Sequence, residues 1–507
     1  MNNTDHDLLQ TLKKTLKGIT LREPENIHPE TLISELGLDS VALMELIGIL
    51  EEDFSIRISN EEVAELHFIR DILSLVRDRM SIEVTLPAAG SSPEKASRLY
   101  PAEVDHSADW VISKFPEVKK LDHRFEDFER MGVKNPYFEV HDGIARNRTS
   151  IGRVEMINFS SYNYLGFSGH PEVAAAAKEA IDRYGTSVSA SRLVSGERPI
   201  HRSLERALAD HIGVEDAVVF VSGHATNVTT IGHLFDQNDL ILYDSLCHDS
   251  IIQGINLSGA KRKSFVHGNV DQLERILVQM RGQHRRVLIC SEGLFSMDGD
   301  ICNLPRLINI KKRFHCNLFV DEAHSIGVLG PAGRGISHHF PGINPNDVDL
   351  WMGTLSKSLA SCGGFIAGDA SLVRYLKFTA PGFLFSVGIS PPIAAAALKS
   401  LELMQQYPEI VEQLRQRSKL FLDLAQEREI NTGNAVGAAV VPAIIGDSMK
   451  CVRISQALAA KRINVQPIIH PAVEENAARL RFFISATHSE DEIRYGVNAL
   501  AEELKKH

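Results

Sequence analysis

Two segments in the middle of the chain carry side chains suited to covalent and acid–base chemistry. Residues 318–324 (LFVDEAH) have the pattern of a buried strand that ends in the carboxylate of Asp321, with His324 three residues later. Residues 351–357 (WMGTLSK) have the pattern of a strand that runs into a small-residue loop with one lysine, Lys357. A lysine in such a loop can bind a carbonyl carbon covalently, and the neighbouring hydroxyls can bind a phosphate.

Two further segments supply an anion-binding turn and an aromatic, titratable side chain. Residues 220–227 (FVSGHATN) join a predicted strand to a predicted helix, so the backbone N–H groups of Gly223 and His224 can bind an anion at the helix start. Residues 244–248 (DSLCH) place His248 just after another predicted strand. Ligands of α/β proteins gather at the carboxyl ends of strands, which is where these side chains are expected.

Each of these residues also has an ordinary structural explanation when taken alone. Asp321 and His324 would be a hydrogen-bonded pair, Lys357 a solvated loop lysine, Gly223 a turn and His248 a core histidine. Together, in this order and with 36 residues from the carboxylate to the lysine, they predict a pyridoxal 5′-phosphate pocket. In such a pocket a lysine binds the aldehyde, a carboxylate binds the ring nitrogen and a helix start binds the phosphate.

The first 80 residues form a separate, acidic module. They hold 8 basic and 16 acidic side chains, which gives −8 of the formal net charge of −11. Their apolar residues recur at helical spacing, for example over residues 41–54, so we expect a small helical bundle. The string LGLDS places Ser40 at a helix start, where free N–H groups and the helix dipole favour an attached phosphate. The alternative is that Ser40 or Asp39 only caps the helix.

This module resembles an acyl carrier protein over roughly residues 5–80. In that family the serine of the LGxDS motif carries 4′-phosphopantetheine, which implies that Ser40 is the attachment site. The resemblance also implies a small all-α four-helix carrier domain. A phosphopantetheinyl transferase and an acyl-loading enzyme are then expected partners.

From about residue 135 to the C-terminus the chain resembles the α-oxoamine synthases, which are fold-type I pyridoxal phosphate enzymes. This family includes serine palmitoyltransferase, 8-amino-7-oxononanoate synthase and 2-amino-3-ketobutyrate CoA ligase. The strings that carry the resemblance are NFSSYNYLGFSGHPE (158–172), YGTSVSASRLVSGERPIHR (184–202), EGLFSMDGDI (292–301), VDEAHSIG and GTLSK. SYNYLG is most similar to the serine palmitoyltransferase branch. The resemblance implies a homodimer with shared active sites.

The fold is expected to be α/β, because short β-branched runs (217–221, 287–290, 317–320 and 439–445) alternate with helical patterns from about residue 150 onward. We predict a mostly parallel sheet flanked by helices, with a smaller C-terminal α+β domain. The Pro-, Ala- and Ser-rich segment after the acidic module has no periodic hydrophobicity, as expected of a linker. The predicted order is carrier domain 1–80, linker 81–105, N-terminal segment of the synthase 106–150, large cofactor-binding domain 151–390 and small C-terminal domain 391–507.

The family resemblance also implies a role for each site residue. Lys357 would carry the cofactor and act as a catalytic base, Asp321 would pair with the ring nitrogen and His324 would contact the ring hydroxyl. His248 would stack on the ring and assist catalysis. The other cofactor contacts implied are Gly223, His224, Thr354 and Ser356 around the phosphate, and Ser296 near the ring hydroxyl.

Arg481, within residues 478–483, is implied to hold the carboxylate of the amino-acid substrate, which a guanidinium binds bidentately. The alternative for Arg481 is a surface ion pair. The chain departs from the family pattern at residues 185–192, where serines replace glycines, so the acyl-side pocket is expected to differ. It also departs at Ser386-Val387, where a Ser–Thr pair usually reaches the phosphate in the partner subunit, so only Ser386 is available there.

The implied reaction is a decarboxylative condensation. A small amino acid (glycine, alanine or serine) reacts with an acyl thioester on phosphopantetheine, from the same chain or from a partner, to give an α-aminoketone, CO₂ and a free thiol. Alternatives are an acyl-CoA-dependent enzyme like serine palmitoyltransferase, and an aminotransferase or aldolase with a fused carrier module. A non-catalytic scaffold that binds a synthase is a further alternative.

Composition excludes several other classes of function. The net charge of −11 and the lack of a basic arm make nucleic-acid or anionic-lipid binding unexpected. The six cysteines include no CxxC pair, so neither a disulfide framework nor a metal site is expected. We expect a cytoplasmic protein with no membrane span, because no signal-peptide pattern and no stretch of about 18 apolar residues is present.

Overall fold

The computed structural model describes residues 110–130 and 134–506, together with Gly132 and part of residues 28–80. Ser40 and the predicted linker 81–105 lie outside the described residues. The chain divides into two compact units, Met1–Lys120 and Leu121–His507.

The first unit has a small apolar core. Residues 46–51 are helical, and helix α1 spans Ile69–Met80. Apolar residues of α1 recur three and four positions apart, so they form one buried face. The fully buried members of this core are Leu46, Leu50, Ile69, Ile72 and Val76. The predicted count of four helices depends on residues outside those that the structure describes.

The second unit contains most of the described helices and strands. Helix α2 (Pro116–Arg130) begins in the first unit and ends in the second. The N-terminal strands of the second unit are β1 (His141–Asp142), β2 (Arg148–Ile151) and β3 (Val154–Asn158). The central elements are α3 (Pro171–Tyr184), α4 (Pro199–Ile212), β4 (Asp216–Phe220), α5 (Gly223–Leu234), β5 (Leu240–Asp244), α6 (Asp249–Ser258), β6 (Lys261–Phe265), α7 (Val270–Met280), β7 (Val287–Glu292), α8 (Leu304–Phe314), β8 (Asn317–Asp321), β9 (Leu350–Thr354), β10 (Gly364–Gly368), α9 (Ala370–Thr379), α10 (Pro381–Leu384) and α11 (Pro391–Gln406). The C-terminal elements are α12 (Glu409–Glu427), β11 (Val440–Ile444), α13 (Ser448–Ala460), β12 (Ile463–Asn464), β13 (Pro467–Ile468), β14 (Arg479–Phe483) and α14 (Glu490–Lys506).

A seven-stranded sheet, counted over the described residues, organises the second unit, in the order β4-β10-β9-β8-β7-β5-β6. Strand β10 is antiparallel to both of its neighbours, and the other adjacent pairs are parallel. The carboxyl ends of the parallel strands therefore meet at one edge. The mostly parallel sheet predicted from the sequence is confirmed.

Both faces of this sheet are buried. In β8, Leu318 and Val320 pack into one apolar core, whereas Phe319 packs into another on the opposite face. Successive side chains of a strand point to opposite faces, so the sheet needs helices on both sides. Strands of this kind are continuously apolar, which is how the sequence revealed them.

Two smaller sheets complete the second unit. Strands β1, β2, β3 and β12 form one, and β11, β14 and β13 form an antiparallel one that carries Arg481. Helices α12, α13 and α14 contribute to an apolar core with this second sheet, as expected of a smaller α+β part. Helix α11 packs on α3 and α4, so the core of the central sheet extends beyond residue 390.

In the described part of the chain, no helix combines the length and apolar character that crossing a membrane requires. The six cysteines are free, and only Cys362 is exposed. Among the described residues there is no cluster of three His, Cys, Asp or Glu side chains placed to bind a metal ion.

Candidate active site

A cavity of about 360 Å³ lies where the parallel strands end. The last residues of β7, β8 and β9 are Glu292, Asp321 and Thr354, and all three line it. The sequence-predicted residues that line this cavity are Gly223, His224, His248, Ser296, Asp321, His324, Thr354, Ser356, Lys357 and Arg481. Segments that are far apart in the sequence thus meet in one pocket.

Asp321 is fixed by two hydrogen bonds at the end of β8. Its Oδ2 accepts from Nδ2 of Asn227 at 2.9 Å, and its Oδ1 accepts from the backbone N–H of Ala323 at 2.8 Å. The side chain is buried. These two neutral donors fix the orientation of the carboxylate at the cavity wall.

Lys357 lies three residues after the end of β9, near the aromatic ring of Tyr162. Its Nζ is 5.8 Å from the ring centroid of Tyr162. Burial lowers the pKa of Lys357 to about 8, although the charges of Asp321 and Glu292 oppose the shift. An amine with this pKa is partly unprotonated near neutral pH, so it can act as a nucleophile and as a base.

The start of α5 approaches the end of β9 closely enough to form an anion site. A Cβ atom on Gly223 would lie 2.9 Å from Oγ1 of Thr354, which explains why only glycine fits at this helix start. Oγ1 of Thr354 is 2.8 Å from Oγ of Ser356. Backbone N–H groups at a helix start and two hydroxyls therefore surround one position, as a phosphate requires.

His324 is held by a buried tyrosine. Its Nδ1 is 2.8 Å from Oη of Tyr164. Burial lowers the pKa of His324 well below its usual value, and the charges of Lys357 and Arg481 lower it further. His324 is therefore neutral at physiological pH. A neutral ring has one N–H donor and one acceptor nitrogen, so His324 can form a hydrogen bond with a neutral or an anionic oxygen.

Arg481 places a guanidinium group in the same cavity. Its Nη1 donates to the carbonyl oxygen of Ser296 at 3.1 Å, and its Cζ is 4.6 Å from the ring centroid of Phe483. The Nε of Arg481 is buried and has no hydrogen-bond partner among the described residues. A buried charged donor of this kind is costly unless a ligand, such as a carboxylate, binds to it.

This chain matches two protein families and is similar to several known proteins. Residues 154–500 match the family of class I and II aminotransferases, and residues 10–76 match the phosphopantetheine attachment site family. The 8-amino-7-oxononanoate synthase of Symbiobacterium thermophilum is 38% identical over 374 residues, which are 74% of this chain and 94% of that protein. A putative 8-amino-7-oxononanoate synthase of Desulforudis audaxviator is 41% identical over 387 residues, 76% of this chain and 99% of that protein. The chain belongs to the class I and II aminotransferase family, in its α-oxoamine synthase branch.

Solved structures of the same branch share the fold. Serine palmitoyltransferase from Sphingomonas wittichii superposes with a TM-score of 0.74 at 27% identity, covering 77% of this chain and 98% of that one. The 8-amino-7-oxononanoate synthase of Francisella tularensis superposes with a TM-score of 0.61 at 26% identity, covering 69% and 98%. This α-oxoamine synthase is therefore a pyridoxal phosphate-dependent acyltransferase of fold type I, with a phosphopantetheine-binding domain. Both predicted cofactors are confirmed.

Several residues that line the synthase cavity were not predicted as site residues, and Glu292 and Asn227 are two of them. Glu292 accepts from the backbone N–H of His248 at 2.6 Å, and its pKa is raised well above the usual value, first by burial and then by the charge of Asp321. Asn227 is the donor to Asp321 described above. Both lie within strings quoted in the sequence analysis, but their polar contacts are made with residues of other strands and helices.

One predicted residue of the synthase, Ser386, does not line this cavity. Oγ of Ser386 donates to the carbonyl oxygen of Val387 at 3.3 Å, beside the largely exposed Phe385. The contact predicted for Ser386 involves a partner subunit and stays a prediction. Ser40 lies outside the described residues.

A second cavity, of about 430 Å³, adjoins the first. The two share Tyr162, Ser356 and Lys357, so Lys357 lines both. Most other side chains that line the second cavity are polar: His141, Thr149, Asn158, Ser160, Ser161, Asn163, Ser168, Ser361 and Gln466.

Proposed function

We propose that this chain condenses a small amino acid with an acyl thioester held on the phosphopantetheine of its own N-terminal domain. The thioester bond breaks, a carbon–carbon bond forms at Cα, and the amino acid loses its carboxylate as CO₂. One proton is consumed, and the products are an α-aminoketone and the free thiol. The identity of the acyl donor is part of the proposal. So is the amino acid, which we propose to be glycine, alanine or serine.

One observation carries this proposal: a phosphopantetheine attachment domain and an α-oxoamine synthase site are present in one chain. About a quarter of the chain has no counterpart in the 8-amino-7-oxononanoate synthase of S. thermophilum. A carrier module has no use in an aminotransferase or an aldolase, since neither consumes a thioester. The extra domain therefore favours an acyl-carrier thioester as donor.

The residues present fit pyridoxal phosphate. We assign Asp321 to the ring nitrogen, His324 to the ring hydroxyl and Lys357 to the aldehyde carbon. When bound, the cofactor supplies an electron sink for the negative charge that develops at Cα. The phosphate is assigned to the helix start and the hydroxyls near it: Gly223, His224, Thr354 and Ser356. Ser296 and His248 complete the cofactor contacts.

Arg481 is assigned to the carboxylate of the amino acid. Its Nε has no partner among the described residues, and its Nη1 is already held by the carbonyl of Ser296. The guanidinium plane is thus fixed before substrate binds, which favours a bidentate contact. Holding the carboxylate also keeps Cα near Lys357.

Lys357 is assigned to proton transfer at Cα. Nζ of Lys357 has a pKa of about 8 because it is buried, so its lone pair is available near neutral pH. The position of Lys357 on both cavities lets Nζ reach an amino acid on one side and a thioester on the other. Tyr162 lines both cavities as well, with its ring centroid 5.8 Å from Nζ.

The second cavity is assigned to the end of the phosphopantetheine arm. Pantetheine carries two amides and a hydroxyl, which need hydrogen-bond partners, and this cavity offers hydroxyl and amide side chains. A tethered donor reaches an effective concentration near the millimolar range when its linker has suitable reach. A flexible coil of about 25 residues averages about 25–30 Å end to end. Delivery within a chain or across a homodimer is therefore feasible.

The test is to supply the protein, loaded with each cofactor, with amino acid and acyl donor. Stoichiometric CO₂ and free thiol support condensation, whereas formation of a keto acid without CO₂ indicates transamination. The donor is then varied between an acyl group on the carrier domain and free acyl-CoA, in the wild type and in Ser40→Ala. Unchanged turnover of the physiological donor in Ser40→Ala would contradict the carrier assignment and favour acyl-CoA.

A further inference from the structure

A continuous set of hydrogen bonds joins His248 to Asp321 along the wall of the cavity. Nδ1 of His248 is 2.7 Å from Oγ of Ser250, which accepts from Nδ2 of Asn227 at 2.8 Å. The same Nδ2 donates to Oδ2 of Asp321 at 2.9 Å. Asn227, Ser250 and Asp321 are all buried, so water does not compete for these bonds.

The directions of these hydrogen bonds follow from the chemistry of the groups. A carboxylate only accepts, so Asn227 must turn its amide nitrogen toward Asp321. The second amide hydrogen is then directed to Oγ of Ser250. The hydroxyl hydrogen of Ser250 is left for Nδ1 of His248, which must carry a lone pair.

A second contact supports the same direction independently. The backbone N–H of Ser250 donates to Nδ1 of His248 at 3.2 Å, at the start of α6. A backbone amide has no acceptor lone pair to offer in return, so Nδ1 cannot carry a proton in this geometry. The proton of the neutral ring is therefore on Nε2.

We propose that Asn227 and Ser250 are positioning residues that hold His248 as the neutral tautomer protonated at Nε2. His248 lines the cofactor cavity, and its Nε2 makes no hydrogen bond to the described residues. In the proposed function, on which this inference rests, Nε2–H of His248 donates a hydrogen bond to the carbonyl oxygen of the acyl thioester. Negative charge develops on that oxygen when the new carbon–carbon bond forms, so a fixed donor stabilises the transition state.

The surroundings keep His248 neutral. Burial lowers its pKa, and the charge of Lys357 lowers it further, while the charge of Asp321 opposes the shift. The other titratable groups that face it are Asp249, His224 and Glu292. A cationic His248 would protonate Nδ1 and break the contacts with Ser250.

The Asn227 amide also connects the contact that orients Asp321 with the contact that orients His248. Its two hydrogens are shared between Asp321 and Ser250, so a rotation of the amide would disrupt both contacts. Asn227 thus couples the orientation of Asp321 to that of His248. Ser250→Ala and Asn227→Leu separate these effects, because the first variant retains the bond to Asp321 and the second removes it.

The direct test is the protonation state of the ring. Holoenzyme labelled with ¹⁵N-histidine is examined by long-range ¹H–¹⁵N correlation at neutral pH, and the His248 signals are assigned by their loss in His248→Gln. The inference predicts an unprotonated Nδ1 and a protonated Nε2. A protonated Nδ1 would overturn it. No acyl donor is present, so this result is independent of the proposed function; a protonated Nε2 without any condensation activity would contradict the proposed function alone.

Kinetics provide the second readout. In Ser250→Ala only the backbone N–H of residue 250 still donates to Nδ1, so the ring of His248 is held less firmly, and we expect kcat to fall by about tenfold with little change in KM for the amino acid. Asn227→Leu is expected to lower kcat at least as much and to weaken cofactor binding as well. Thr230→Val on the same helix is the control, because Thr230 is fully buried and lies outside both cavities. Equal losses in Thr230→Val and Ser250→Ala, with His248 still protonated at Nε2 in both, would overturn the positioning role.

Discussion

Nε2 of His267 donates to Oδ2 of Asp300 at 2.8 Å, which fastens the loop that carries Ser296 to the edge of the central sheet. Nδ1 of the same ring is 2.9 Å from Oδ1 of Asp244, the last residue of β5. A ring between two carboxylates donates from both nitrogens only when it is protonated. The loop is held on its other side by Asp298, which pairs with Arg479.

This arrangement predicts a loss of stability at alkaline pH. Burial opposes protonation of His267, but hydrogen bonds and charges from Asp244 and Asp300 raise its pKa to about 10. The pKa in the unfolded chain is about 6.5. The contribution to stability is therefore complete below about pH 6.5 and is lost as the pH rises through about 10.

The measurement is chemical denaturation of the wild type and His267→Gln between pH 6 and 10.5. The difference between the two free energies of unfolding should be of the order of 2 kcal/mol at pH 6 and should shrink toward pH 10.5. A difference that stays constant across this range would show that the ring is not protonated between the two carboxylates.

Replacing Lys357 by alanine should abolish turnover. The variant loses both the amine that binds the aldehyde and the base at Cα, so kcat should fall by at least about 10²-fold. Borohydride should fix the cofactor on the wild type but not on Lys357→Ala. Lys419→Ala removes an exposed lysine on α12 and serves as the control. Covalent fixation of cofactor to the Lys357→Ala protein would place the aldehyde on another amine.

Arg481 is expected to determine the affinity for the amino acid. Arg481→Lys retains a positive charge but loses the planar fork, so KM for the amino acid should rise by about tenfold or more. The affinity for pyridoxal phosphate should change much less. The control is Arg428→Ala, because Arg428 donates a hydrogen bond to Asn498 on the protein surface. If Arg481→Lys changed KM for the acyl donor instead, Arg481 would belong to the acyl side.

Gly223→Ala should weaken cofactor binding. The added Cβ would lie 2.9 Å from Oγ1 and 3.3 Å from Cβ of Thr354, and a β-branched side chain on a buried strand has little room to move. Overpacking of this kind should raise the dissociation constant of pyridoxal phosphate by about tenfold, measured by absorption titration. Gly282→Ala is the control, since its Cβ would meet nothing within 4 Å. Equal affinities would show that the phosphate does not bind at this helix start.

Much of the fold was predictable because buried parallel strands are short apolar runs with distinctive ends. The runs at 217–221, 287–290 and 317–320 appear in the structure as strands within one or two residues of those bounds. Asp321 and Gly223 were recognised because ligands of α/β proteins gather at the carboxyl ends of strands and anions bind at helix starts. The order of the motifs and the family resemblance together identified ten residues that line one cavity.

The parts that were not predictable depend on contacts between distant segments. Glu292 was not recognised as a site residue, since its raised pKa results from burial beside Asp321 rather than from its neighbours in sequence. Asn227 is an unremarkable helix residue until β8 brings Asp321 to its amide. For Ser386 the expected contact lies in a second subunit, which no pattern within one chain can locate.

The most direct test of the account follows the acyl group itself. Full-length protein is pantetheinylated, loaded with an acyl group and pyridoxal phosphate, and its intact mass is recorded before and after each amino acid is added. We predict that the acyl mass leaves the carrier domain, with release of CO₂ and a free thiol on the arm, in the wild type but not in Lys357→Ala. An acyl group that stays on the arm with every small amino acid, while free acyl-CoA is consumed, would contradict condensation from the chain's own carrier.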